Sequence, residues 1–450
     1  MGKVQNIAIK NILVRDLFGQ FTYVIPKEET SDIERLLILY GDNGSGKTKI
    51  LQLLYHLLSP AEKRGHRSSI SKIPFRKFDV EFTNSTKISV DRSKRGIAGR
   101  YDIEITEKDK IYKYSLHISE GEVLPKKQYL EFCKFLNKLG IAVYYLSDQR
   151  QFQSDELPLL DSIELRGRTR RELEIIRRNL LKTEERQYID LLDDDYSPFD
   201  LESIRNRDIK IAIKRIEDWL NRQVKQAQSK GEISVNIIYS DIIKSISKRT
   251  DKQQDVDVDI KDLNETLIKL AERSKRYEFF KMTTPLDIES IVESIKIAPL
   301  ETYPTLKRVV QPYIDSLEAR FKELEDVYKV LNSFIEGLNE FYSNKSVVFD
   351  FREGILNIVS GKKVLDPKIL SSGEKQLLLL FCNTFLARDK PSLFLIDEPE
   401  ISLNIKWQRK LIKALLKLTE NSQVQLVLAT HSIELLSSYS NNTVRLISKK

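Results

Sequence analysis

"LLILYGDNGSGKTKILQLLYHLL", Leu36 to Leu58, holds three kinds of sequence in order. The apolar run Leu36 to Tyr40 has the length of a buried strand. Gly41-Asp42-Asn43-Gly44-Ser45-Gly46-Lys47-Thr48 follows, then Lys49 and an apolar run of helical length. The eight residues fit G-x-x-x-x-G-K-[ST] in the strand–loop–helix context that the pattern requires. Glycines let such a loop wrap a phosphate with its backbone N–H groups. Lys47 can reach β- and γ-phosphates, and the Thr48 hydroxyl can ligate Mg²⁺.

A second stretch, "PSLFLIDEPEISLN", supplies the matching acids. Its apolar residues Leu393 to Ile396 end in Asp397 and Glu398. A carboxylate at the C-terminal edge of a buried strand points into the crevice where ligands sit. Asp397 would hold Mg²⁺, directly or through water, and Glu398 would polarise the attacking water. A further strand, "VQLVLATHS", ends in Thr430-His431-Ser432. The chain has four histidines, and His431 ends the strand after the acidic one, where a γ-phosphate sensor would sit. "LSSGEKQLLLL", Leu370 to Leu380, opens a polar cluster directly into an apolar run. From the residues alone it is either an ordinary helix N-cap or half of a phosphate site at a helix start.

A phosphate loop, the "LSSGEKQ" segment, an apolar strand ending in Asp-Glu and a strand ending in His resemble, in that order, the ABC-type ATPases. The resemblance covers somewhat over half the chain. It implies an α/β fold, an ABC-type P-loop ATPase head, with ATP and Mg²⁺ as cofactors. "LSSGEKQ" resembles the signature motif of that class. Ser371 and Gly373 would then bind the γ-phosphate held by another subunit's loop, which implies a homo-oligomer joined head to head by an ATP sandwich. The class also carries a glutamine after a strand such as "IAVYYLSDQR", sensing Mg²⁺ and γ-phosphate; Gln149 is the candidate, with Gln151 close behind. "DEPEISLN" followed by "KWQ" resembles ATPases related to the overcoming-lysogenization-defect family, which usually carry His-Pro where this chain has Asn404-Ile405. The stretch "NILVRDLFGQFTYVI" and the loop after it resemble stand-alone defence ATPases, the Septu-system ATPase subunit first and the PARIS-system subunit next.

Because the loop and the signature are far apart in sequence, the head is split in two lobes. Residues 1–150 read as the first lobe, mostly period-two strands: "VQNIAIKNIL", "KFDVEFT", "KISVD", "RYDIEIT", "IYKYSLHI" and the closing "IAVYYLSDQR". Residues 151–343 read as a helical insertion, with apolar residues three and four apart in "ELEIIRRNLLKTEERQYIDLL", "RDIKIAIKRIEDWLNRQVKQ", "LNETLIKLAERSKRYEFF" and "YIDSLEARFKELEDVYKVLNSFIEGLNEFY". The last is long enough for a short coiled-coil arm. Residues 344–450 read as the second lobe, opening with a hairpin that turns at Glu353-Gly354.

Apolar residues make up 41% and charged residues 31% of the 450, which fits a well-charged globular chain rather than a disordered one. No apolar run is long enough to cross a bilayer, and the N-terminus lacks a signal-peptide core, so a cytoplasmic location without membrane contact is expected. Cys133 and Cys382 have no metal spacing. The net charge of +8 permits nucleic-acid contact. No nuclease site is evident. "DVDVDI", Asp255 to Ile260, and "LLDDDYSP" read as solvated loops, and His56, His66 and His117 read as unclustered. The expected function is an ATP-hydrolysing subunit of a prokaryotic anti-phage defence complex that controls a separately encoded nuclease or toxin. Alternatives are a DNA repair or recombination ATPase that binds DNA directly, and an ATP-locked scaffold with little turnover.

Overall fold

The computed structural model describes residues 7–26, 34–62, 64–92, 96–108, 110–119, 122–148, 152–154, 201–247, 260–283, 285–436 and 438–447. The chain divides into two compact units, Met1–Ala212 with Leu370–Lys450, and Ile213–Ile369.

The first unit holds two sheets. One is antiparallel, from β1 (Ile9–Leu17), β2 (Phe21–Ile25), β4 (Lys77–Phe82), β5 (Lys87–Asp91), β6 (Tyr101–Glu107), β7 (Lys110–Ser119) and β8 (Glu122–Leu124), in the order β2-β1-β4-β5-β6-β7-β8. In β5 and β6 buried and partly exposed residues alternate, as expected where one face meets the core. The other sheet uses β3 (Leu36–Tyr40), β9 (Ala142–Leu146), β10 (Phe152–Ser154), β14 (Ser392–Asp397), β15 (Val424–Thr430) and β16 (Thr443–Arg445), in the order β10-β9-β14-β15-β3-β16. β9, β14 and β15 are buried throughout, which suits parallel strands covered on both faces. Leu39, Leu395 and Val427 of this sheet share one core with Leu51 and Leu54 of the helix after the loop and with Phe78, Val80 and Ile103 of the antiparallel sheet.

The Gln425 side chain also bonds one sheet to the other. The Gln425 amide accepts from Ile9 N–H at 2.7 Å and donates to the Ile9 carbonyl at 2.9 Å. Both groups of Ile9 are thereby satisfied in the interior, where an unpaired backbone group is costly.

The strand reading of the first lobe needs two corrections. β1 begins at Ile9, later than its alternation suggests. The sequence reading also passes over a helix at Lys126–Leu139. Its buried face, Tyr129, Phe132, Cys133 and Leu136, has helical spacing but is short, and no side chain caps its start.

The second unit contains most of α4 (Leu201–Ser247), α5 (Ile260–Phe279), α6 (Ile288–Lys296) and α7 (Tyr303–Asn339), with the earlier helices α1 (Lys47–Leu58), α2 (His66–Lys72) and α3 (Lys126–Leu139) in the first. Tyr277 of α5 stacks on Phe321 of α7 with centroids 5.0 Å apart. Strands β11 (Ser346–Asp350), β12 (Ile355–Ser360) and β13 (Lys363–Leu365) form a small sheet. Its first turn falls at Glu353-Gly354, where Gly354 is left-handed and its N–H bonds the Asp350 carbonyl at 2.7 Å. The expected helix at "ELEIIRRNLLKTEERQYIDLL" and the "DVDVDI" and "LLDDDYSP" loops lie outside the described residues, apart from Ile260, the first residue of α5.

Gln425→Leu keeps the volume but strands both polar groups of Ile9 in the core. It should lower stability by about 3 kcal/mol, read as a shift of the urea midpoint. An unchanged midpoint would show that the bridge carries no stability.

Candidate nucleotide-binding site

The parallel register sets four strand ends level. Asp397 of β14 pairs with Ala429 of β15, Thr430 of β15 with Tyr40 of β3, and Ile396 of β14 with Leu146 of β9. The loop after Tyr40, the acids after Ile396, the segment after Leu146 and His431 therefore leave the sheet at one edge, where α/β sheets bind ligands.

The loop Gly41 to Thr48 is shaped by its glycines. Gly46 has φ +90, and a Cβ there would lie 2.5 Å from Leu17 Cδ2. A Cβ on Gly41 would meet Ser45 Oγ at 2.9 Å and the Leu446 carbonyl at 3.2 Å. Asp42, Asn43 and Gly44 are exposed. Tyr23 OH donates to the Ser45 carbonyl at 2.9 Å. Lys47 is buried, and its Nζ donates to the carbonyls of Gly41 at 2.8 Å and Asp42 at 3.0 Å. The ammonium thus folds across the loop. Lys49 turns along its helix to Gln52 Oε1 at 2.8 Å. α1 starts with no side-chain cap and no acid in its first turn, so its positive end faces the loop.

Asp397 is buried, and its Oδ1 has no hydrogen-bond partner. Its Oδ2 accepts from Tyr145 OH at 3.4 Å. Burial pushes the carboxyl up to about 6; Thr48 lowers it, Asp148 and Glu398 raise it further, and Tyr145 lowers it. A divalent cation fits here: an orphaned carboxylate oxygen beside a threonine hydroxyl is a hard oxygen donor set. No group of three or more His, Cys, Asp or Glu side chains is placed to hold a metal among the described residues. A cation would therefore draw its remaining ligands from phosphate and water.

Glu398 adopts φ +46, unusual for a bulky residue. Its N–H bonds the Ala429 carbonyl at 2.8 Å, and its carbonyl accepts from Ile401 N–H at 3.1 Å. His431 Nδ1 lies 3.3 Å from Glu398 Oε1 and 3.4 Å from Glu400 Oε1. The structure therefore joins Glu398 to His431, and Asp397 to Thr48.

Ser371 caps α8 (Ser372–Leu386) in a full capping box: its Oγ accepts from Glu374 N–H, and its own N–H bonds Glu374 Oε2 at 2.8 Å. Ser371 and Ser372 remain exposed. A Cβ on Gly373 would lie 2.8 Å from the Ser402 carbonyl and 3.3 Å from Trp407. The signature thus packs on the turn after the acidic strand, and no described hydrogen bond joins it to its own chain's loop. Gln149 and Gln151 lie outside the described residues; Asp148, at the same strand end, is exposed.

The sequence reading missed Tyr145 and Glu400 as neighbours of the acids. Glu400 was visible as the last letter of "DEPE"; no pattern in "IAVYYLSDQR" marks Tyr145. The histidine reading also needs correction. His56 and His66 do cluster, with Nδ1 atoms 3.1 Å apart, because α1 and α2 fold side by side. His117 is on β7, and the pair lacks the further ligands of a metal site among the described residues.

Asp397→Asn tests the isolated carboxylate. Its native value near 6 lies above the unfolded value near 3.9, so the folded state takes up its proton first as pH falls. The cost of the ionised form is full above pH 6 and absent below about pH 4. The Asn variant without nucleotide should be more stable than wild type at pH 7.5, by roughly 1–3 kcal/mol. The gain should vanish toward pH 4 in thermal melts; no gain at pH 7.5 would show that the charge is compensated.

Several known proteins are similar to this chain in part. A "Putative ABC transporter ATP-binding protein" of Bacillus thuringiensis subsp. konkukian is 38% identical over 79 residues, 18% of this chain and 14% of that protein. One of Clostridium acetobutylicum is 32% identical over 88 residues, 19% of this chain and 30% of that protein. The chain thus spans less than a third of the length of these relatives. A Smc head domain with an extended coiled coil, bound to the C-terminal domain of ScpA and derived from Pyrococcus furiosus, is 14% identical with a TM-score of 0.36, over 99% of this chain and 94% of that one. No helix among the described residues is long and apolar enough to cross a membrane. Residues 36–437 take in the loop, the signature, the acids and His431, and they match one family throughout; the chain belongs to the family described as "AAA domain, putative AbiEii toxin, Type IV TA system".

Proposed function

We propose that the chain binds and hydrolyses ATP as the motor subunit of an anti-phage defence complex, and that it controls a separately encoded nuclease or toxin. The reading rests above all on one observation: the level strand ends gather the loop, Asp397, Glu398 and His431 around a buried carboxylate oxygen without a partner. In this reading the loop from Gly41 to Lys49 cradles the phosphates, and Lys47 exchanges its loop carbonyls for phosphate oxygens. Thr48 and Asp397 would hold Mg²⁺, which would supply charge neutralisation for phosphoryl transfer. Gln149 would be the sensor by the class resemblance alone. Glu398 orients and polarises the attacking water, and His431 holds Glu398 and faces the γ-phosphate.

Ser371 and Gly373 have their described contacts away from their own loop, and Ser371 is exposed. This favours a composite site in which they meet the γ-phosphate bound by a second copy. The family description favours a second reading, that this chain is itself the toxin of a two-gene pair.

Lys47→Ala should lose ATP binding. Glu398→Gln should retain ATP but lose roughly a hundredfold or more of turnover; wild-type turnover in Glu398→Gln would remove this glutamate from the mechanism. Ser371→Arg and Lys47→Ala proteins should each be inactive and recover partial turnover when co-assembled. No recovery in mixed oligomers would count against the composite site. Expressed alone, the chain should neither cut nucleic acid nor arrest growth, and growth arrest by the lone chain would favour the toxin reading. Co-expressed with its genomic neighbour, it should form a stable complex whose activity depends on Lys47 and Glu398.

A further inference from the structure

Glu400 is a buried carboxylate that the nucleotide chemistry above does not use. It follows the acidic strand by three residues, in the turn that leads to Leu403. Its Oε1 takes donors from three consecutive residues at the end of β15: Thr430 Oγ1 at 2.5 Å, His431 N–H at 3.1 Å and Ser432 N–H at 3.2 Å. His431 Nδ1 lies 3.4 Å from the same oxygen. Oε2 is buried with no partner. An interior carboxylate is costly unless it is well bonded; the three donors on Oε1 offset part of that cost and tie Glu400 to the Thr430–Ser432 segment. Thr430 Oγ1 in turn accepts from Ser432 N–H at 2.9 Å, which closes the segment on itself.

Two carboxylate oxygens lie 3.3 and 3.4 Å from His431 Nδ1, which favours the tautomer with its N–H on that side. Nε2 is left as the ring nitrogen available to a ligand. Anchored at its own N–H and at both neighbours, the backbone that carries the ring cannot shift without breaking several bonds at once.

We propose that Glu400 is a positioning residue that clamps the Thr430–Ser432 segment, fixes the His431 ring against Glu398 and so sets the rate of hydrolysis without touching the nucleotide. The proposal rests on the ATPase reading for its effect on rate, but the clamp itself is measurable without turnover.

Two experiments on the full chain test it. In the first, amide hydrogen exchange at His431 and Ser432 is followed without nucleotide. Glu400→Ala should speed exchange there by about tenfold or more, whereas Glu400→Gln, which keeps an acceptor oxygen, should stay within about threefold of wild type. Unchanged exchange in Glu400→Ala would overturn the clamp, whatever the protein hydrolyses. In the second, Glu400→Ala is combined with His431→Ala. Positioning through His431 predicts that Glu400→Ala lowers kcat by about tenfold or more in the wild-type background and by less than about twofold in His431→Ala, with KM for ATP nearly constant in both. Glu400→Gln should recover much of the loss. An equal loss in both backgrounds, or a loss confined to KM, would make Glu400 merely structural. Absence of turnover in the wild type would sink the ATPase reading and leave the exchange measurement to decide the clamp.

Discussion

The site depends on the hydrogen-bonded register of β14 between β9 and β15. Ser392 pairs with Ala142 on one side and Val424 on the other, and the pairing continues to the strand ends. A slip of one residue would move Asp397 to the opposite face. It would also push every buried side chain of β14 into a neighbour, because the strand is covered on both sides. The packing of the interior and the placement of the acids are thus enforced together. Gln425 extends this constraint to the antiparallel sheet through Ile9.

At the edge so formed, negative charge is crowded and positive charge is turned away. Asp397, Glu398 and Glu400 leave the sheet within four residues, and Asp148 adds to the field at Asp397. Lys47, in the loop motif, donates to its own loop carbonyls. Glu398 holds a left-handed conformation that costs of order 1–3 kcal/mol in a non-glycine residue. These features lower stability without ligand and suit a site whose charge is completed by a polyphosphate and its cation. The paired backbone bonds of Glu398 and the clamp at Glu400 keep the strained turn from relaxing.

The fold class and most of the central elements were legible in the residues. The loop could be read because its glycines stand at fixed spacing, and Gly41 and Gly46 leave no room for a Cβ against Ser45, Leu446 and Leu17. The acids could be read because two adjacent charges at the end of a buried apolar strand are costly to desolvate unless a ligand neutralises them. The Lys126–Leu139 helix was not legible, since its buried face is only four residues and its start carries no side-chain cap. The meeting of His56 with His66 was not legible either, because it arises between two helices rather than along one.

Spacing along single strands, turns and helices was enough to specify the parts: a glycine-rich strand–loop–helix, an acidic strand end, a histidine strand end and a capped helix. Which of these parts meet came from the folded chain alone. Folding placed Glu398 beside His431, brought Tyr145 OH to Asp397 Oδ2 across 252 positions of sequence, and turned Glu400 from a letter in "DEPE" into an anchor for the next strand. It also left Asp397 Oδ1 without a hydrogen-bond partner. Such contacts depend on sheet register and on how strand ends are desolvated together, and neither is encoded in the neighbourhood of any one residue.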